Sequence, residues 1–348
     1  GIGYFYYKYW SLFFIFMKIK RKIVYLIIIV FLVTTVLFIK IFQKEQDIEI
    51  KSNPEFFGVT FSKKYATEIG LNWRELYFAI LDDLQVKNIR LPIYWDEIES
   101  EKGNFNYSDY DFMISEGSKR NVRFIINIGW RLPRWPECHA PEWTNQEDLA
   151  HVQERALLML EKTVRRYQDN PSILYWQVEN EPFLNTFGIC PPSDEAFFAK
   201  EVALVKSLDK RPIMVSGPGE LNMWRKEAKY GDVFGTTMYR VIWNKVIGYM
   251  RYPIPAWFYR FKAWLVNIPA DKRLIVELQA EPWVPQGKII YLSKTEADYS
   301  FSLDQFKANL QYALDTKFKQ AYLWGVEWWY WQYKHGDKSF WDLARTLF

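Results

Sequence analysis

The sequence predicts a closed barrel of eight parallel strands wrapped by helices, a (β/α)8 fold, preceded by one N-terminal transmembrane helix. Three observations carry this expectation. Short apolar runs alternate with polar loops and longer amphipathic stretches from Phe56 to Phe348, the pattern of β/α units and a parallel sheet. Eight such runs fall within about 290 residues, the size of one barrel with insertions. Ahead of them lies a seventeen-residue run without a charge, Ile23 to Ile39.

Residues 23–42 form the expected membrane span. At ~1.5 Å per residue, twenty helical residues cross the ~30 Å hydrocarbon layer, with Lys40 snorkelling to its edge. Apolar side chains occur on every face, which disfavours a buried core helix. The basic cluster Lys18-Ile19-Lys20-Arg21-Lys22 precedes the span, so residues 1–22 are expected in the cytoplasm and the rest across the membrane. No small-x-small cleavage site follows, favouring an uncleaved signal anchor over a signal peptide. Met17 followed by KIKRK reads as an ordinary start, with residues 1–16 upstream of it. Residues 43–55 are polar and turn-prone, a short linker, and residues 56–348 form the catalytic domain. The expected location is the cell membrane, single-pass, with the barrel on the extracytoplasmic side.

The eight expected strands are Phe57–Phe61, Asn88–Pro92, Val122–Ile128, Leu174–Val178, Pro212–Ser216, Val233–Met238, Leu274–Val276 and Ala321–Val326. Helical stretches such as Leu149–Tyr167 and Leu303–Thr316 separate them. An open doubly wound sheet is the alternative, but no nucleotide fingerprint accompanies it.

Composition narrows the function. The chain has 348 residues, 49% apolar and 25% charged, which excludes disordered and low-complexity classes. Residues 1–44 hold seven basic and no acidic side chains; subtracting them from 45 leaves 38 basic against 41 acidic residues in the remainder. The domain is thus mildly acidic, and no nucleic-acid partner is expected. Two cysteines and three histidines show neither CxxC nor HxxxH spacing, so no metal or other cofactor is expected. Cys138 and Cys190, in the loops after strands three and four, either pair as a disulfide or remain two free thiols.

Catalytic groups of such barrels sit where strands end. Strand four ends in Glu179-Asn180-Glu181-Pro182, and strand seven in Val276-Glu277-Leu278; strand two contains Arg90, and strand six is followed by Tyr239. Two opposed carboxyls are what acetal hydrolysis needs, one protonated to assist the leaving oxygen and one ionised to attack. Glu281 is the competitor of Glu277, placed in the loop. Glu179 is assigned to the opposite side of the strand as a structural partner.

These residues resemble the clan A glycoside hydrolases, the cellulase-like retaining glycosidases on (β/α)8 barrels. Asn180-Glu181-Pro182 is similar to their acid/base motif and Glu277 to their nucleophile. Trp95-(x)3-Glu99-(x)3-Gly103-x-Phe105 resembles the loop after their second strand, and the segment Trp324 to Trp331 their sugar-platform tryptophan. The resemblance implies catalytic Glu181 and Glu277, with Arg90, Asn180, Tyr239, Trp95, Trp130, Trp324 and Trp328 binding substrate. It implies retaining hydrolysis of β-linked O-glycosidic bonds in an oligo- or polysaccharide. A transglycosidase and a catalytically inactive glycan-binding barrel are the alternatives. Strand three ends in Asn127-Ile128-Gly129-Trp130-Arg131, without the histidine many clan members carry there, so Trp130 or Arg131 is the candidate for that subsite. With 17 Trp in the chain, stacking on sugar faces is well supplied. The aromatic segment Val241–Pro269 is expected to wall the cleft rather than rest on the membrane.

Overall fold

The computed structural model describes residues 25, 26, 28–34, 51–220 and 222–348. The chain divides into two units, Gly1–Ile48 and Glu49–Phe348. In the first, residues 25, 26 and 28–34 are helical; the remainder of the expected span 23–42 lies outside the described residues. Among the described residues no helix is long and apolar enough to cross a membrane.

The second unit is the barrel. Its strands are β1 (Phe57–Thr60), β2 (Asn88–Pro92), β3 (Arg123–Ile128), β4 (Ile173–Val178), β5 (Ile213–Gly217), β6 (Val233–Met238), β9 (Arg273–Gln279) and β10 (Gln320–Trp324). They close in the order β1-β10-β9-β6-β5-β4-β3-β2. Every pairing is parallel. The two remaining strands, β7 (Val241–Asn244) and β8 (Gly248–Arg251), form an antiparallel ribbon in the insertion after β6.

The strands are apolar on both faces because both are covered. Ile125, Met214, Val233, Leu274, Val276 and Tyr322 pack together as one cluster. A second, larger cluster includes Phe124, Ile126, Ile128, Val215, Ile275 and Leu278, together with apolar residues of the surrounding helices. Along β3, β5 and β9, neighbouring residues thus alternate between the two clusters, as a period of two requires. Helices begin where a side chain caps them: Asp148 accepts the His151 N–H at the start of Leu149–Tyr167, and Ser302 accepts the Gln305 N–H at the start of Leu303–Asp315.

Candidate active site

Two local departures from regular strand geometry aim the acids. The first is at β9. Its pairing register slips against β6 between the partners of Thr236 and Thr237, which are Ile275 and Glu277, and slips again against β10. Val276 belongs to the smaller cluster while Ile275 and Leu278 belong to the larger. The extra residue of this bulge lets Glu277 escape the alternation that would carry it away from the Val276 side, a common use of bulges beside active sites. The second is at the end of β4, where Glu179 (φ 59°) and Glu181 (φ 47°) both take left-handed backbone. In an extended strand these two residues would share a face. The turn, rather than strand alternation, sends them to different partners, which corrects the reason for separating them.

Glu277 is 4% exposed and bound at both oxygens. Arg90 Nη1 donates to Oε1 at 2.9 Å, and the Tyr239 hydroxyl donates to Oε2 at 2.9 Å. Arg90 is fully buried, with Nε on Gln177 Oε1 at 2.7 Å and Nη2 on Asn180 Oδ1 at 2.8 Å. Asn180 Oδ1 also accepts from Gln177 Nε2 and from the Ser216 hydroxyl, so strands β2, β4, β5 and β9 are tied at one level. This is a buried ion pair with its remaining valences satisfied, the condition under which burial is tolerated.

Glu181 has a different environment. It is 8% exposed, its Oε1 accepts the Thr237 hydroxyl at 2.8 Å, and its backbone N–H donates to Ser216 Oγ at 3.0 Å. Burial, and then the negative charge of nearby Glu277, holds its carboxyl well above the usual carboxylate range. One acid is therefore bound at both oxygens by a cation and a phenol, while burial and its neighbour's charge oppose ionisation of the other. Such a split is what acid-plus-nucleophile chemistry requires.

Around this pair lie acids that the sequence did not single out. Glu137, in the loop after β3, is buried, and the charges of Glu277 and Glu181 add to burial in raising its carboxyl. Glu220 Oε1, after β5, accepts the Tyr239 N–H at 2.8 Å and the Tyr259 hydroxyl at 3.0 Å; burial pushes its carboxyl to about 7. Nothing in a loop of irregular backbone marks these two beforehand. Gln177, Ser216 and Thr237 did carry a signal, since each is polar inside an otherwise apolar strand.

Glu179 accepts the backbone N–H groups of Trp130, at 2.6 Å, and Arg131, at 2.5 Å, and hydrogen-bonds Glu201 of the helix Glu195–Leu208. It therefore holds the end of β3. Glu281 is engaged by Arg134, whose guanidinium also reaches Glu327 Oε2 at 2.9 Å. Burial raises Glu281 to about 7.

The expected aromatic subsites divide. Trp324, the last residue of β10, lies beside this network with the Arg134 guanidinium 4.0 Å from its ring centroid. Trp130 is half-buried, edge-on to Trp95. Trp95 and Trp328, both expected to bind substrate, are corrected by their burial. Trp95 is fully enclosed, donates Nε1–H to Glu99 Oε2 at 2.8 Å, and has Trp130 and Trp143 against it. Glu99 in turn accepts the Gly103 N–H at 2.8 Å and an Arg155 hydrogen bond, so the Trp-Glu-Gly spacing builds a turn and leaves the indole no free face. Trp328 is packed between Phe301 and Phe340. Trp135, by contrast, is 59% exposed beside Phe187.

Cys138 and Cys190 form a disulfide with Cα atoms 5.3 Å apart, tying the β3 and β4 loops. The 241–269 segment makes the β7–β8 ribbon and the helix Ala256–Leu265. That helix braces Glu220 through Tyr259 and leaves Trp257, Phe261 and Trp264 exposed. Among the described residues no group of three or more His, Cys, Asp or Glu could hold a metal ion.

No family model matches the chain. No curated protein matches it in sequence either. Solved structures do match in fold. A cold-adapted β-galactosidase from Rahnella sp. R3 superposes over 79% of this chain and 50% of its own, with TM-score 0.53 and 11% identity. Xylanase 10B from Thermotoga petrophila RKU-1, in complex with xylobiose, covers 78% of this chain and 82% of its own, with TM-score 0.52 and 14% identity. GH5_18 from Streptomyces cattleya, in complex with GlcNAc, covers 79% and 71%, with TM-score 0.52 and 11% identity. All are (β/α)8 glycosidases of clan A, the group whose motifs the sequence resembles. Likeness at this identity shows the fold. The chain spans about half the length of the β-galactosidases it matches.

Proposed function

We propose that the barrel is a retaining glycoside hydrolase acting on β-linked oligo- or polysaccharides. The observation that carries the reading is the pairing of a buried, cation-bound Glu277 with a buried Glu181 that has no cation on its carboxyl and accepts the Thr237 hydroxyl instead. The folds of the xylanase and β-galactosidases support it. In the first step the Glu277 carboxylate attacks the anomeric carbon while Glu181 gives its proton to the departing glycosidic oxygen, leaving a glycosyl ester and a Glu181 carboxylate. Glu181 then takes a proton from water, whose oxygen attacks the same carbon and releases Glu277. Arg90 and the Tyr239 hydroxyl hold the nucleophile's two oxygens, so its orientation is set before substrate arrives. Residues 23–42 anchor the enzyme in a bilayer, residues 43–55 link the two parts, and the barrel works on the extracytoplasmic side; the uncharged run and its basic flank support this.

The test is hydrolysis of aryl β-glycosides and β-linked polysaccharides by the wild type, Glu181→Gln and Glu277→Gln. Each variant is expected to lose at least ~10³ in turnover while folding normally. Azide added to Glu277→Ala should restore cleavage and yield a glycosyl azide of inverted configuration. Full activity in either Gln variant removes that residue from the mechanism.

A further inference from the structure

The least explained group beside the two catalytic candidates is Glu137. It is 6% exposed, yet its Oε2 oxygen has no hydrogen-bond partner among the described residues. Buried carboxyl oxygens are rarely left so, and an orphan at a cleft points to a missing ligand. Three observations place this one. Its loop is tied to the end of β4, the Asn180 N–H donating to the Arg131 carbonyl at 2.7 Å and the Leu132 N–H to the Glu137 carbonyl at 2.8 Å, and Glu277 and Glu181 are the acids whose charges act on it most. Its neighbour Cys138 is bonded to Cys190 of the β4 loop. From that loop Gly188 comes so close that a Cβ there would lie 2.7 Å from the Glu137 Cβ. Glu137 is thus clamped between two cross-linked loops at the end of β4, where Asn180 and Glu181 stand.

We propose that Glu137 is a substrate-contacting specificity residue whose free Oε2 takes a hydroxyl of the sugar bound at the cleavage site. This rests on the glycosidase reading and deepens it by naming the substrate class, a glycone that is neutral and hydroxylated. A sugar hydroxyl supplies the hydrogen that Oε2 lacks. A uronic acid would bring its carboxylate against the attacking carboxylate of Glu277, with repulsion strengthened by burial. The disulfide keeps the carboxyl in place without an ordering cost on binding.

The experiment compares wild type, Glu137→Ala and Glu137→Gln on 4-nitrophenyl β-D-glucoside, β-D-galactoside, β-D-xyloside and β-D-glucuronide. It then uses the monodeoxy analogues of the best substrate, with thermal melts confirming that each variant folds. Glu137→Ala should lower kcat/KM on the best neutral glycoside roughly 10- to 150-fold, the worth of one hydrogen bond to a buried carboxyl. One deoxy analogue should lose a comparable factor with the wild type and nothing further with Glu137→Ala. Glu137→Gln should recover part of the loss, because the amide oxygen still accepts. An equal factor on the parent and on every deoxy analogue would make Glu137 merely structural and overturn the proposal, as would unchanged kinetics or a wild-type preference for the glucuronide. The two readings fail separately. Equal product release by wild type and Glu277→Gln sinks the glycosidase reading and this proposal with it, whereas an active wild type with an indifferent Glu137→Ala sinks this proposal alone.

Discussion

Replacing Tyr239 by Phe removes a single oxygen from the site, and the structure sets what that atom is worth. The hydroxyl donates to Glu277 Oε2 at 2.9 Å, while Arg90 holds Oε1 at the same distance. A hydrogen bond to a charged partner contributes about 1.5–3 kcal/mol, which converts at ~1.4 kcal/mol per decade to a loss of roughly 10- to 150-fold in kcat/KM. The ring itself is retained. It keeps its edge-on contact with Trp283, with centroids 5.7 Å apart, and its backbone N–H keeps Glu220. Thermal stability should therefore change little, by under ~1.5 kcal/mol. The assay is steady-state hydrolysis of an aryl β-glycoside with a good leaving group, alongside a melting curve of the same preparation. If kcat/KM stays within threefold of wild type in a folded variant, the phenol does not support the nucleophile. The assignment of Tyr239 as a substrate-site residue would then fall too.

Two further outcomes follow from the buried acids. Glu181 must be protonated to assist the leaving group, and its carboxyl is held above the usual range, so kcat/KM should persist through neutral pH and fall only as pH rises past that raised value. A profile already declining near pH 4.5 would exclude Glu181 as the acid. Glu179 and Glu201 form a buried carboxyl pair, and burial raises both. A group with a raised folded pKa contributes stability that is fully present below its unfolded pKa, near 4.5, and is lost as pH climbs through the folded value. Glu201→Gln cannot ionise and still donates to Glu179. Its stability, followed by its melting temperature, should gain on wild type between pH 5 and pH 8, by up to about 1.4 kcal/mol of unfolding free energy per pH unit titrated. Parallel melting curves for the two proteins would show that the pair shares no proton.

How far the sequence carries depends on the range of the interaction involved. Strand periodicity is local, so all eight barrel strands were legible to within one to three residues at each end. The β7–β8 ribbon was missed because its strands are four residues each and sit inside an aromatic stretch with no alternation to read. That Arg90, Asn180, Glu181, Tyr239 and Glu277 lie together was legible because strands of a barrel converge on one rim. The aromatic subsites were not. Whether an indole faces a cleft or a core depends on what packs against it, and Trp95 and Trp328 are enclosed by residues far along the chain as well as near.

By itself, then, the sequence determined the order of strands and helices and the acids that follow β4 and lie within β9, since these depend on each residue's neighbours in the chain. Only the tertiary structure decided that Glu277 escapes the alternation that Val276 obeys, that Cys138 joins Cys190, and that Glu137 is held against the β4 loop at Gly188. Each of these is set by contacts between segments distant in sequence, where register and burial arise from closing the barrel as a whole.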